Sequence, residues 1–136
     1  MKILIICSKV FYDKIPPIKE KLEQMGHVVE LPNSYDNPQA EFEAMNISKE
    51  EHLKFKHEMF KRSEEIIAQM DAVFTLNFDK KGIKNYIGGA TFLELYEAYM
   101  KNKKIYLYNE VPEGILYDEI IAFEPIVVNG NLDLVK

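Results

Sequence analysis

Short apolar runs alternating with amphipathic stretches predict an α/β domain built on a parallel sheet. Three observations carry that prediction. The opening run, Ile3-Leu4-Ile5-Ile6-Cys7, is apolar throughout and rich in β-branched residues, as a strand covered on both faces must be. Apolar residues between the runs recur at helical spacing. Each run is also separated from the next by a segment long enough for a crossover, and right-handed crossovers make successive strands parallel.

Lys2–Cys7 is the first strand. Ser8–Asp13 reads as a polar loop, and Ile15, Ile18, Leu22 and Met25 then follow at helical spacing. Pro16 and Pro17 suit the first turn of that helix, where backbone N–H groups lack partners. Gly26 stands where a helix terminates, and His27–Leu31 is the second strand. Pro32 to Ile47 is rich in Pro, Asn, Asp and Ser, with a helical fragment at Glu41–Met45. Connections of about 15 residues are uncommon and tend to be lids or functional inserts. Ser48 and Glu51 form a capping-box pattern opening a long helix to Met70, with an apolar stripe of Phe55, Met59, Ile66, Ile67 and Met70. Ala72–Leu76 is the third strand, and the loop Asn77–Gly89 leads to a helix from Thr91 to Asn102. Lys104–Tyr108 is the fourth strand, Tyr117–Phe123 a short helix, and Ile126–Val128 the last strand before a polar tail. The expected architecture is one doubly wound, flavodoxin-like (Rossmann-like) domain over residues 1–136, with five strands in the order 2-1-3-4-5.

With 47% hydrophobic and 29% charged residues, a chain of 136 can bury a core unaided. The net charge of −5 argues against a nucleic-acid polymer as partner, because neutralising phosphates needs a basic face. A free nucleotide remains compatible, since a few backbone N–H groups suffice for one phosphate. The single cysteine, Cys7, excludes an internal disulfide and a Cys-based zinc site. His52 and His57 are five apart, on different helix faces, and read as solvated side chains; no metal is expected. No apolar run is long enough for a leader or a span, so a membrane-free protein in a reducing cytoplasm is expected.

Doubly wound sheets bind ligands beyond the carboxyl ends of their strands. The loops to read are therefore Cys7–Asp13, Asn77–Gly89 and Asn109–Gly114. The first lacks the arginine of a cysteine phosphatase, the Ser, Thr and Gly of a flavin-phosphate loop, and the acids of a phospho-acceptor. Ser8 either donates to a phosphate or sugar hydroxyl or caps its own loop, and Phe11 is expected to line a pocket. In the second loop Asn77, Tyr86, Gly88, Gly89 and Thr91 are binding candidates. The two glycines permit close backbone approach and unusual φ values just ahead of a helix start that attracts anions. Glu94 has two readings. With Thr91 it fits a capping box worth about 1 kcal/mol; alternatively it is a carboxylate nucleophile. Asp79 is either an acid for the same chemistry or a turn residue ahead of Lys80-Lys81-Gly82.

Ser8 after the first strand, Gly26-His27 before the second, and Asp71-Ala72-Val73-Phe74-Thr75-Leu76-Asn77 feeding Tyr86-Ile87-Gly88-Gly89-Ala90-Thr91-Phe92-Leu93-Glu94 form one pattern. Glu97-Ala98-Tyr99 and Lys103-Lys104-Ile105-Tyr106-Leu107 continue it. Together they resemble the nucleoside 2-deoxyribosyltransferase superfamily, which includes deoxynucleoside-monophosphate N-glycosidases and is similar in layout to TIR-type NAD hydrolases. The resemblance spans nearly the whole chain. It implies a nucleoside or nucleotide substrate and a glycosyl-enzyme ester formed by Glu94 at the sugar C1′. A second base or water would resolve that ester, with no cofactor. It also implies a homodimer or higher homo-oligomer, since such proteins often complete the pocket across an interface. Two usual acid positions differ, because Ser63 (beside Glu64) and Gly88 occupy them; Asp79 is the candidate substitute. The alternative is a non-catalytic nucleotide-binding protein on the same fold.

Overall fold

In the computed structural model, which describes residues 1–136, the opening apolar run becomes the centre of a sheet. β1 (Lys2–Ile6) lies between β2 (Val28–Glu30) and β3 (Ala72–Thr75), followed by β4 (Lys104–Leu107) and β5 (Ile126–Val127). Every pairing is parallel and the order is 2-1-3-4-5, as the alternation predicts. Five helices connect the strands: α1 (Ile15–Gln24), α2 (Ala40–Ile47), α3 (Lys49–Ala68), α4 (Gly89–Met100) and α5 (Tyr117–Ala122).

The two-residue period of the strands divides the core into two layers. Ile3, Ile5, Phe74 and Tyr106 point to one face and meet Ile15, Ile18 and Leu22 of α1. Leu4, Ile6, Val73 and Ile105 point to the other and meet Ile67, Leu95, Ala98 and Ile120. Such burial on both faces explains why β1 and β3 read as continuous apolar runs.

Local signals act where the sequence places them. Pro16 and Pro17 occupy the first turn of α1, and Gly26 closes it at φ +96°. Ser48 Oγ accepts the Glu51 N–H at 3.1 Å, which caps α3.

Four expectations need correction. Ser8–Asp13 is not an open loop, because Lys9–Lys14 winds into a 3-10 turn that buries Phe11. The polar tail is docked: Val135 is buried, and the Lys136 carbonyl accepts from Tyr106 Oη at 2.7 Å and Lys104 Nζ at 2.8 Å. The helix after β3 begins at Gly89, not Thr91. Finally, the apolar stripe of α3 serves two purposes. Its 20 residues span about 30 Å, whereas the four residues of β3 span only about 13 Å. Since α3 runs towards the start of β3, its amino half must overhang the carboxyl edge of the sheet. Ile67 joins the core, while Phe55 and Met59 face a cavity. No helix is long and apolar enough to cross a membrane.

Candidate functional site

Beyond the carboxyl ends of β1 and β2 the overhanging half of α3, the start of α4 and the two adjoining loops enclose a cavity of about 760 Å³. That is the size of a small-molecule site. Cys7, Ser8 and Tyr12 form one wall, Asn33 and Ser34 after β2 another. Phe55, Met59 and Ser63 of α3 face Gly88, Gly89, Thr91 and Glu94 across it. A smaller hollow of about 210 Å³, lined by Lys19, Tyr35 and Arg62, lies on the other side of Asn33 and does not include Glu94.

Glu94 is the sixth residue of α4, in the second turn. The capping box with Thr91 does not form, because Gly88 is the N-cap and Thr91 is buried inside the first turn. The carboxylate turns instead to α3, where Ser63 Oγ donates to its Oε2 at 3.3 Å. Behind Ser63 stands Asn33, whose Nδ2 donates to Ser63 Oγ at 2.7 Å and to the Met59 carbonyl at 3.2 Å. A carbonyl only accepts, so the Asn33 nitrogen must face Met59, which leaves its buried Oδ1 without a protein partner. Because Asn33 donates into Ser63, the serine proton is directed to Glu94. Burial pushes the Glu94 carboxyl up to about 7, and the Ser63 hydrogen bond opposes that rise only in part.

Two further groups from the first loop share this field. Burial, and then the Glu94 charge, push the Cys7 thiol up to about 12, so it stays a neutral, unreactive thiol. Burial, followed by Cys7 and Glu94, raises the Tyr12 phenol above its ordinary value, which keeps it a hydrogen-bond donor.

Ser8 of the first loop and Tyr86, Gly88, Gly89 and Thr91 of the second line the cavity. The expected unusual φ is not found at Gly88, however. Gly88 has φ −85° and ψ 176°, an extended conformation open to any residue. A side chain there would crowd Tyr86, whose Oη would lie 3.0 Å from a Cβ at position 88. At Gly89 a Cβ would meet open space. Lys80 Nζ sits 4.5 Å from the centre of the Tyr86 ring and 3.5 Å from Ser8 Oγ, bridging the two loops.

Three candidates stand elsewhere. Asp79 is absent from the cavity wall; its Oδ1 accepts the Asn85 N–H at 3.0 Å and stabilises a turn in which Lys81 and Asn85 have φ of 47° and 54°. Phe11 is buried edge-on against Phe78, with ring centres 5.6 Å apart. Asn77 is fully buried and ties the segment after β3 to the segment after β4. Its Nδ2 donates to the carbonyls of Asn109 and Glu110, both at 3.0 Å, and its Oδ1 accepts the Asn109 N–H at 2.9 Å.

Other residues of the site escape a reading of the sequence. Asn33 and Ser34 lie in the long loop that reads as a lid, and Phe55 and Met59 in a stripe that reads as core. At the far end of the cavity Glu41 of α2 accepts from Lys56 Nζ and His52 Nε2, each at 2.9 Å, with Lys9 Nζ at 3.6 Å. His52 is therefore not merely solvated. Burial acts to raise the Glu41 carboxyl, but the hydrogen bonds from His52 and Lys56 and the charges of Lys56 and Lys9 outweigh it and bring it down to about 2.

Fold and site together define an α/β domain of flavodoxin-like order with an acid-bearing cavity at its carboxyl edge. No family model matches the chain, and no curated protein matches it either.

Proposed function

We propose that the protein breaks the N-glycosidic bond of a nucleoside or nucleotide, by hydrolysis or by sugar transfer, with Glu94 as nucleophile. One observation carries this reading: the Glu94 carboxyl faces a ligand-sized cavity and is held by a neutral hydroxyl, free of any capping duty. The resemblance to deoxyribosyltransferases and deoxynucleotide glycosidases points to the same residue.

In this reading an ionised Glu94 oxygen attacks the sugar C1′. The C1′–N bond breaks with its electron pair going to the base, and a glycosyl ester remains. Water, or a second base, then attacks C1′ and frees the carboxylate. The leaving base needs a proton; we assign it to the Tyr12 phenol on the cavity wall, and the water or base that resolves the ester returns a proton to Tyr12. Asn33 and Ser63 orient the nucleophile. No metal or redox group enters these steps. Incubation with deoxynucleosides, their 5′-monophosphates and NAD should release free base from at least one, and Glu94→Ala should abolish the release. Silence from all three classes ends the enzymatic reading.

A second reading, a nucleotide-binding protein without catalysis, is favoured by the absence of a second unengaged carboxylate. Asp79 lies outside the cavity, and Glu97 pairs with Lys101 at 3.5 Å. A ligand that raises Tm while remaining intact would favour it. In either case a homo-oligomer fits the rim. Phe60, Leu93 and Tyr96 line the cavity yet stand about half exposed, at 50%, 48% and 50%. Light scattering should give at least a dimer mass; a monomer would remove that part. Such chemistry suits a cytoplasmic protein, where nucleotides circulate.

A further inference from the structure

The far end of the cavity is built from opposite charges to the Glu94 end. Lys9 comes from the 3-10 turn after β1, and His52 and Lys56 come from α3; all three converge on the single carboxylate of Glu41. Lys9, Lys56 and Glu41 lie on the cavity wall, whereas His52 does not and meets it through its bond to Glu41. Two lysines against one carboxylate leave surplus positive charge there.

The element that delivers Glu41 packs along α3 without burying a side chain of its own. No residue of α2 is buried, and only Ala40, Glu41 and Ala44 are half-buried. Phe42, Met45 and Ile47 stand 58%, 53% and 72% exposed. Glu41 thus supplies the charged tie between this helix and the walls beneath it. Along α3, Lys56 precedes Ser63 by seven residues, about 10 Å of helix axis. That spacing sets the carboxylate and the cations apart along the same cavity wall.

We propose that Lys9, His52 and Lys56 form the seat of a ligand's phosphate monoester, and that Glu41 occupies this seat as an internal substitute which the phosphate displaces. The proposal rests on the nucleoside-or-nucleotide reading and narrows it to the 5′-monophosphate. A phosphate monoester carries more charge than a carboxylate and offers three acceptor oxygens. It can therefore satisfy all three donors at once, where Glu41 holds two closely and the third at 3.6 Å. Exchange leaves no cation unpaired and frees Glu41, so binding the anion and loosening α2 are one event. Glu41, ionised across the physiological range, competes at every relevant pH.

The test is calorimetric titration of the full chain with inorganic phosphate, with the four deoxynucleoside 5′-monophosphates and with the four deoxynucleosides, at fixed ionic strength. Inorganic phosphate should bind, and at least one monophosphate should bind about tenfold tighter than its nucleoside. Glu41→Gln should tighten phosphate binding by about tenfold, and Lys56→Gln should weaken it similarly. Lys9→Gln, from a different element, repeats the loss should the α3 variant fold poorly. Hydrogen exchange across residues 40–47 should quicken on adding phosphate. No phosphate binding, an unchanged affinity in Glu41→Gln, or exchange in 40–47 indifferent to phosphate would each overturn the proposal. Base release from nucleosides with no phosphate effect would overturn this seat and keep Glu94 as nucleophile. Phosphate exchange without base release would keep the seat and remove the enzyme.

Discussion

Two glutamates face the same cavity and are driven in opposite directions. Glu94 is held by one neutral hydroxyl and burial raises it to about 7; Glu41 is held by two lysines and a histidine and falls to about 2. The side chains are chemically identical, but Glu94 is deeply buried whereas the Glu41 side chain stays 24% exposed. Burial penalises the charge of both, more at Glu94, and at Glu41 the neighbouring cations outweigh it. At neutral pH one carboxyl therefore exchanges its proton readily, while the other is a permanent anion. A cavity polarised in this way suits a ligand with an electrophilic carbon at one end and a negative charge at the other.

The largest test of the contrast removes the charge at the sensitive end. Glu94→Gln should lower base release by at least about a thousandfold, the scale on which removing a covalent nucleophile acts. The same variant should be more stable than the parent in alkali. A carboxyl whose folded pKa is raised contributes stability that is fully present below pH 4.5 and lost as pH rises through 7. Denaturation should show Glu94→Gln gaining about 1 to 3 kcal/mol at pH 8.5 and almost nothing at pH 4. An equal effect at both values would mean that Glu94 is not desolvated.

Next in size is the relay behind it. Ser63→Ala removes the one hydrogen bond favouring the anion, and Asn33→Ala removes what aims it. Each should move the acidic limb of the pH–rate profile upward by about one unit, Ser63→Ala more than Asn33→Ala. A fall in kcat without movement of the limb would assign these residues a purely structural part.

The smallest expected effect lies at the other end. Glu41, with its folded pKa depressed, contributes stability above pH 4.5 that is lost as pH falls towards 2. Glu41→Gln should cost about 1 kcal/mol at pH 7 and little near pH 2.5, because the network is partly exposed. Urea denaturation at the two values reads the difference, and a loss independent of pH would point to packing instead of charge.

How much of this was legible in advance follows from how local each signal is. Strand order was readable because continuous apolar runs, crossover lengths and handedness act over short stretches of chain. Ser48 with Glu51, Pro16 with Pro17, and Gly26 each act within one turn, and each sits where expected. Gly88 and Gly89 marked a loop that lines the cavity, but not by φ: at 88 the backbone is extended and the Tyr86 ring folds back against it, which no φ preference encodes. Asp79, Phe11 and Asn77 sat in the loops singled out but face a turn, the core and the segment after β4. A loop's position can be inferred from sequence, whereas the direction of each side chain depends on what packs against it.

The amino-acid order alone determined the parallel sheet, its 2-1-3-4-5 order and the edge at which to look for a site. Those follow from periodicity and chain connectivity, which are properties of neighbours in sequence. Only the tertiary structure decided that Glu94 meets Ser63 across 31 positions and that Glu41 meets Lys9 across 32. It also decided that half of an apolar stripe lines a cavity. Those pairings arise because a helix longer than the strands it covers must project past them, and what it projects over is set by packing at a distance.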